Sequence, residues 1–309
     1  MSDEGADHLP APPLRRALGG SGIMVSPLAW GMWRLTAGNN TLAEVSRLVE
    51  GVLDAGITLF DTADIYGFTG MAGFGAAEAL LGEVLAAAPG LRARMVLSTK
   101  AGIRPPFPYD QSPAYLARAL EASLRRLRVE TIDLFHIHRP DLLTHPQEVA
   151  KTLDAAVAAG KIRALGVSNF TPHQLAALQH FLGTRLAVTQ PEISPLRIAC
   201  FDNGELDQAM MLGLTPLAWS PLGGGRLLAP QTGREREIAG ALDLVAREAG
   251  VSRATAAYGW LMAHPAGIIP IIGSQQPARI AEALAARPMR WTRRGWYEVF
   301  AAARGEKLP

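Results

Sequence analysis

Three short stretches carry the groups of general acid–base chemistry: a carboxylate, a phenol, an amine and an imidazole. In Leu59-Phe60-Asp61-Thr62-Ala63-Asp64-Ile65-Tyr66-Gly67 a carboxylate ends an apolar run, and a tyrosine follows five residues later. In Ser98-Thr99-Lys100 a lysine terminates another apolar run. The chain has only four lysines (Lys100, Lys151, Lys161 and Lys307), so this placement carries weight. A buried lysine is costly without a carboxylate beside it, and Asp61 is the natural partner. The third stretch, Asp133-Leu134-Phe135-His136-Ile137-His138-Arg139-Pro140, sets two histidines on one side of a strand. His136-x-His138 is also the spacing of a metal pair. Beyond Asp61, for which Lys100 competes, no other His or carboxylate stands at a strand end to complete such a site, and Glu192 would have to turn inward.

Positioning these groups requires parallel strands that all end at one rim. Strand patterns fall at Leu28–Trp33, Thr58–Thr62, Met95–Thr99, Ile132–Ile137, Ala164–Val167, Ala187–Thr189, Thr215–Trp219 and Ile268–Ile272. Helical stretches alternate with them near Thr41–Ala55, Gly75–Ala88, Pro113–Arg128, Pro146–Ala159, Pro172–Leu182, Gly204–Leu212 and Glu237–Ala249. Two more, Arg253–Ala263 and Pro277–Ala286, flank the last strand. Ser112 and Thr171, each followed by Pro, read as N-caps, and Gly56, Gly160 and Gly250 as helix ends. Eight strand–helix units without a composition break predict an α/β fold, a single (β/α)8 TIM barrel over residues 15–309. Asp61, Lys100, His138, Asn169, Gln190, Ser220 and Ser274 would then converge on its C-terminal rim. A doubly wound sheet would want a Gly-x-Gly-x-x-Gly turn after an early strand, and Gly223-Gly224-Gly225 comes too late. From Arg15, two apolar runs around Gly19-Gly20-Ser21-Gly22 predict an N-terminal β-hairpin plug. Residues 1–14, with Pro10, Pro12 and Pro13, read as a flexible tail. Phe68–Phe74, Gly-rich and containing Met71, reads as an apolar, mobile loop.

Composition narrows the partners. The 309 residues hold 30 Lys+Arg and 28 Asp+Glu, a net charge of +2, which argues against nucleic acid. The single Cys200 excludes a disulfide framework and suits a reducing compartment. The acidic N-terminus lacks the order of a signal peptide, and no apolar window is long enough to span a membrane. These features predict a cytoplasmic chain, a monomer or weak homo-oligomer.

In their order, each after a barrel-like strand, Asp61, Tyr66, Lys100 and His138 resemble the catalytic set of the aldo-keto reductase superfamily, in its bacterial oxidoreductase branch. The resemblance runs from Leu28 to about Ala286. Gly166-Val167-Ser168-Asn169-Phe170 is similar to the family's segment near the nicotinamide. Trp219-Ser220-Pro221-Leu222-Gly223 resembles its cofactor-facing strand, where an aromatic stacks on the nicotinamide. Ile272-Gly273-Ser274, with Arg279 and Glu282, resembles its clamp on the adenosine phosphate. The resemblance implies an NADP(H)-dependent reductase of small carbonyl compounds. It assigns cofactor contacts to Gly31, Met32 and Trp33, to Ser168, Asn169 and Gln190, and to Trp219, Ser220, Leu222 and Gly223. Gly273, Ser274, Gln275, Arg279 and Glu282 complete the set. Two departures stand out: Gly273 where some members carry Lys, and Ala283 where an Asn is often found. Arg279 and Ser274 still offer a cation and a hydroxyl to a 2′-phosphate. The alternative is an NADP(H)-binding redox sensor with little turnover, which four filled catalytic positions disfavour.

The chemistry implied is hydride delivery to a carbonyl carbon with protonation of its oxygen by Tyr66. A free phenol near pKa 10 is a sluggish acid. An ammonium about 4 Å away, at an effective dielectric of about 20, contributes roughly 4 kcal/mol toward the phenolate, up to about 3 pKa units. Asp61 keeps Lys100 charged and takes back part of that gain. His138 would orient the carbonyl oxygen.

Overall fold

Side chains alternate across a strand, so a strand between a barrel interior and a ring of helices must be apolar on both faces. The computed structural model, which describes residues 7–38, 40–68, 73–306 and 308, has this arrangement. After the short antiparallel strands β1 (Arg16–Ala17) and β2 (Met24–Val25) come β3 (Ala29–Gly31), β4 (Leu59–Asp61), β5 (Val96–Ala101) and β6 (Ile132–Ile137). The series closes with β7 (Ile162–Ser168), β8 (Leu186–Gln190), β9 (Thr215–Ala218) and β10 (Ile269–Ile272). β3 to β10 pair in parallel in chain order, and β10 returns to β3 to close the barrel. The fold is the predicted (β/α)8 barrel with its hairpin.

Two apolar layers follow from the alternation. Ala29, Leu59, Val96, Leu134, Ala164, Val188, Leu217 and Ile269 fill the interior. Trp30, Phe60, Leu97, Phe135, Leu165 and Ile272 belong to the larger core that includes the surrounding helices. The hairpin places Leu18, Ile23 and Val25 against the interior set. It fits closely: the Gly19 N–H donates to Thr215 Oγ1 at 2.8 Å, and a Cβ on Gly19 would lie 2.5 Å from the Ala187 carbonyl oxygen.

The helices between strands are α1 (Leu42–Asp54), α2 (Ala76–Ala87), α3 (Pro113–Leu127), α4 (Pro146–Ala158), α5 (Pro172–Phe181) and α6 (Glu205–Leu212). Ser112 and Thr171 cap α3 and α5 as predicted, and Thr171 forms a full capping box with Gln174. Helix α7 (Gly233–Ala249) starts earlier than the Glu237 expected, because Thr232 and Glu235 make a reciprocal capping box that outweighs Gly233. After α8 (Arg253–Met262) and α9 (Pro277–Leu284) comes α10 (Arg293–Arg304), a helix absent from the sequence expectation. Its Trp296, Val299, Phe300 and Ala303 are buried at helical spacing. The indoles of Trp260 and Trp296 stack at 5.0 Å, and each N–H donates to the other residue's carbonyl.

The leader, expected as loose, lies against this region from Asp7 to Leu9. His8 bridges Thr292, and the Leu9 N–H donates to the Trp291 carbonyl at 2.7 Å. Met71 and the rest of residues 69–72, expected in a mobile loop, lie outside the described residues. Among the described residues no helix is long and apolar enough to cross a membrane.

Candidate active site

Strand register brings the acid–base groups together inside the upper barrel. Asp61 pairs across the ladder with Ser98, and Lys100 pairs with His136. The Lys100 ammonium donates to Asp61 Oδ2 at 2.7 Å, to the Thr62 carbonyl at 2.7 Å and to the Tyr66 hydroxyl at 3.2 Å. The other Asp61 oxygen accepts from Ser98 Oγ and Gln190 Nε2, both at 3.1 Å. Every polar atom of the pair is therefore engaged, which is the condition for burying it. Lys100 and Asp61 are 1% and 3% exposed. Tyr66 is held edge-on to Trp33, with ring centroids 5.0 Å apart, and faces His138 at 6.1 Å.

Charge is distributed unevenly over these groups. Burial would strip Lys100 of its proton, but Asp61 and Tyr66 more than restore it, and its pKa stands above the ordinary value. For Tyr66 the balance differs from the sequence expectation of a lowered pKa. Burial raises it, Lys100 pulls it down, Asp61 pushes it up, and the net direction is up. Tyr66 is a neutral phenol through the neutral range. Burial, then Lys100, Arg139 and His136, hold His138 well below the usual imidazole range, so it too is neutral. His136 points into the barrel, where a Cβ on Gly166 would lie 2.6 Å from its Nδ1, and burial pushes its pKa down to about 3. Only a glycine at position 166 leaves it room. Among the described residues no three His, Cys, Asp or Glu side chains group as metal ligands.

Between Asp61 and Tyr66, Asp64 is fully buried with no hydrogen-bond partner for either oxygen. Burial and then Glu78 raise its pKa well above the carboxylate range. Glu78 itself accepts from Thr99 at 2.6 Å and from Arg126 at 2.7 Å.

A cleft of about 750 Å³ opens over Tyr66 and His138 and runs toward Arg279. Most predicted cofactor contacts line it. Gly31 and Trp33 come from the β3 end, and Ser168, Asn169 and Gln190 from the β7 and β8 ends. Trp219, Ser220 and Leu222 follow β9, while Gly273, Ser274, Gln275, Arg279 and Glu282 follow β10. Asn169 is oriented by bonds within the protein: Trp219 Nε1 donates to its Oδ1 at 3.0 Å, and its Nδ2 donates to Ser168 Oγ at 2.8 Å. Asn169 and Ser220 have φ of 59° and 55°, a left-handed backbone that costs a non-glycine residue about 1 kcal/mol or more and clusters at functional sites.

Two expectations need correction. Met32 is fully buried and packs in the core of strands and helices, not in the cleft, because it lies on the outward parity of β3. Gly223 is buried with its Cα facing Leu196, so the open part of that turn is Gly224 and Gly225. Two cations were missed. Arg139 and Arg34 both line the cleft. Each directly follows a residue singled out in the sequence, His138 and Trp33, and that adjacency is the only signal for them.

A model of the Aldo/keto reductase family matches residues 27–296. The chain belongs to this family. Among its aldo/keto reductase relatives, the 6-dehydroglucose reductase of Novosphingobium aromaticivorans is 68% identical over 301 residues, covering 97% of this chain and 99% of the relative. A 6-dehydroglucose reductase of Agrobacterium fabrum is 39% identical, covering 93% and 97% of the two chains. The oxidoreductase YdhF of Escherichia coli is 37% identical, covering 92% and 95%. In fold, the chain matches a thermostable aldo-keto reductase crystallised with the inhibitor epalrestat. The TM-score is 0.82 at 22% identity, over 94% of this chain and all of that one. As an aldo/keto reductase the protein is an oxidoreductase, of a family that acts on small carbonyl compounds and generally uses a nicotinamide cofactor.

Proposed function

We propose that the protein is an NADPH-dependent reductase of sugar aldehydes, converting the C6 aldehyde of a glucose-type hexose to the primary alcohol. The observation that carries the chemistry is the Lys100 ammonium, charged by Asp61, at 3.2 Å from the Tyr66 hydroxyl on the wall of the cleft. The sugar assignment rests on the relatives named 6-dehydroglucose reductase at 68% and 39% identity.

The residues present fit the dinucleotide. The lining of the cleft includes Arg34 and Arg279, neither with a carboxylate partner among the described residues. Ser168, Asn169 and Gln190 would hold the carboxamide and Trp219 the nicotinamide face. Ser220 and Leu222 would flank the diphosphate, with Ser274, Arg279 and Glu282 at the adenosine end. When bound, NADPH supplies the hydride.

Tyr66 supplies the proton. It keeps that proton at neutral pH and releases it only as negative charge develops on the carbonyl oxygen, and Lys100 stabilises the phenolate left behind. His138, neutral, orients the oxygen by a hydrogen bond without adding a competing charge. Arg139, whose guanidinium lies 5.8 Å from the Trp219 ring centre, has no carboxylate partner among the described residues and offers donors to substrate hydroxyls. Trp33, 47% exposed, presents an aromatic surface to the apolar face of a sugar ring.

Following NADPH consumption with the C6 aldehyde of glucose tests this reading. Turnover is expected, and Tyr66→Phe should lower kcat by about 10²-fold or more while dinucleotide binding is kept. Activity of Tyr66→Phe within a few-fold of the parent would remove the proton-donor role. Turnover of simple aldehydes but not of the sugar would remove the substrate assignment.

A further inference from the structure

Thr99 precedes Lys100 on β5, and alternation turns its side chain the other way, out toward the helices. There Thr99 Oγ1 donates to Glu78 Oε1 at 2.6 Å. The other Glu78 oxygen accepts from Arg126 Nε and Nη2, both at 2.7 Å. Thr99 and Glu78 are fully buried. A carboxylate taken out of water stays where its donors are, and these short charge-assisted bonds come from two different elements, β5 and α3.

Glu78 belongs to the first turn of α2, and the same turn holds the loop that carries Tyr66. The Ala77 N–H donates to the Tyr66 carbonyl at 3.2 Å. Beside Tyr66, Gly67 has φ of 104°, and a Cβ there would lie 2.8 Å from the Ala76 Cβ, so loop and helix are in direct contact. On the strand side, the Asp64 N–H donates to the Lys100 carbonyl at 3.0 Å. A closed circuit results. It runs from Lys100 to Thr99, across to Glu78, along to Ala77, across to Tyr66, and back to the Lys100 ammonium at 3.2 Å. Two of its links are peptide bonds and three are hydrogen bonds, of which the one from Thr99 to Glu78 is the shortest.

We propose that Thr99 and Glu78 are positioning residues: from outside the barrel strands they set the separation of the Lys100 ammonium from the Tyr66 hydroxyl. This rests on the proton-donor reading of Tyr66 given above. Arg126 serves by holding the Glu78 carboxylate in place. Without the Thr99 hydroxyl the strand end is freed from the helix turn, and Lys100 stays with Asp61 while the Tyr66 loop moves away. A misplacement of about 1 Å costs up to about 10²-fold in rate.

Thr99→Val removes the donor while keeping a β-branched side chain of similar shape, and Thr99→Ser keeps the donor. With the C6 aldehyde of glucose, Thr99→Val should lower kcat about 10-fold and leave KM and the Kd for NADPH within about 2-fold. Thr99→Ser should match the parent. A second readout needs no turnover: the tyrosinate absorbance of each protein minus that of its Tyr66→Phe counterpart, followed against pH. With Lys100 farther off, the phenolate loses stabilisation, so in Thr99→Val the Tyr66 band should appear at a pH higher by about 0.5 or more. If Thr99→Val does not fold, Thr99→Ala removes the same donor and carries the same two readouts. A parental titration in the variant would overturn the proposal, whether or not kcat falls, as would equal impairment of the Ser and Val variants. Full activity of Tyr66→Phe would instead sink the proton-donor reading, and the absorbance titration would still decide whether Thr99 and Glu78 set the contact between Lys100 and Tyr66.

Discussion

Lys100 acts on Tyr66 against two opposing influences. It stabilises the phenolate and pulls the pKa down, while burial of the ring and the nearby Asp61 carboxylate push it up and prevail. In the proposed reaction, the result is a proton donor that does not leak its proton before the substrate arrives. The sign of the pH dependence follows. Under the proposed mechanism reduction uses protonated Tyr66, so kcat/KM for reduction should be flat through the neutral range and fall only above about pH 10. Oxidation of the alcohol needs the phenolate, so its kcat/KM should climb about tenfold per pH unit up to that point. Lys100→Met should push the break higher still and lower both rates. Profiles in both directions, with a break near neutrality in either, would contradict the assignment. The Asp61–Lys100 pairing is legible in the sequence because so few lysines exist and this one ends an apolar strand. The net direction for Tyr66 is not legible, because it depends on burial depth, which no local pattern records.

At the level of elements, the hairpin is the least expendable part of the scaffold outside the barrel itself. It seals the end opposite the cleft, and its fit depends on a bare Cα at Gly19, where φ is 48° and the Ala187 carbonyl is in the way of a side chain. Gly19→Ala should cost about 2–4 kcal/mol, from the left-handed backbone and the overlap together. Urea denaturation reads this directly, and activity at room temperature should stay near the parent's because the cleft lies at the far end. The barrel strands and most helices are legible from alternation, caps and glycines. Helix α10 is not: Pro288 and the cluster of Arg290, Arg293 and Arg294 mask a regular apolar stripe. The start of α7 is hidden because Gly233 breaks the pattern that the Thr232 capping box then repairs. Arg34 and Arg139 escape for another reason. A cation on a loop gains meaning only from what faces it across the cleft.

The molecule as a whole carries an acid-sensitive interior. His136 and His138 are both held neutral, His136 with a pKa of about 3. An unfolded chain takes up protons near pH 6.5 that the folded chain refuses. Stability should therefore fall as pH drops from about 6.5 toward about 3, by up to roughly 5 kcal/mol for His136 alone. Urea midpoints near pH 7 and near pH 4.5 should show the decline, and His136→Leu should flatten it. An unchanged slope in the variant would show that other groups set the acid limb.

The hairpin stopper has one more effect. With one end of the cylinder corked, the Lys100 ammonium trades hydrogens with bulk solvent from the cleft side, where Asp61 and Tyr66 line the opening. Once a dinucleotide and an aldehyde cover that mouth, the three N–H groups are isolated, and their isotope exchange slows from fleeting to observable. In a chain with four lysines, nitrogen-15 labelling of the side chains would make this a nearly solitary signal, reporting directly when the lid of ligands is on.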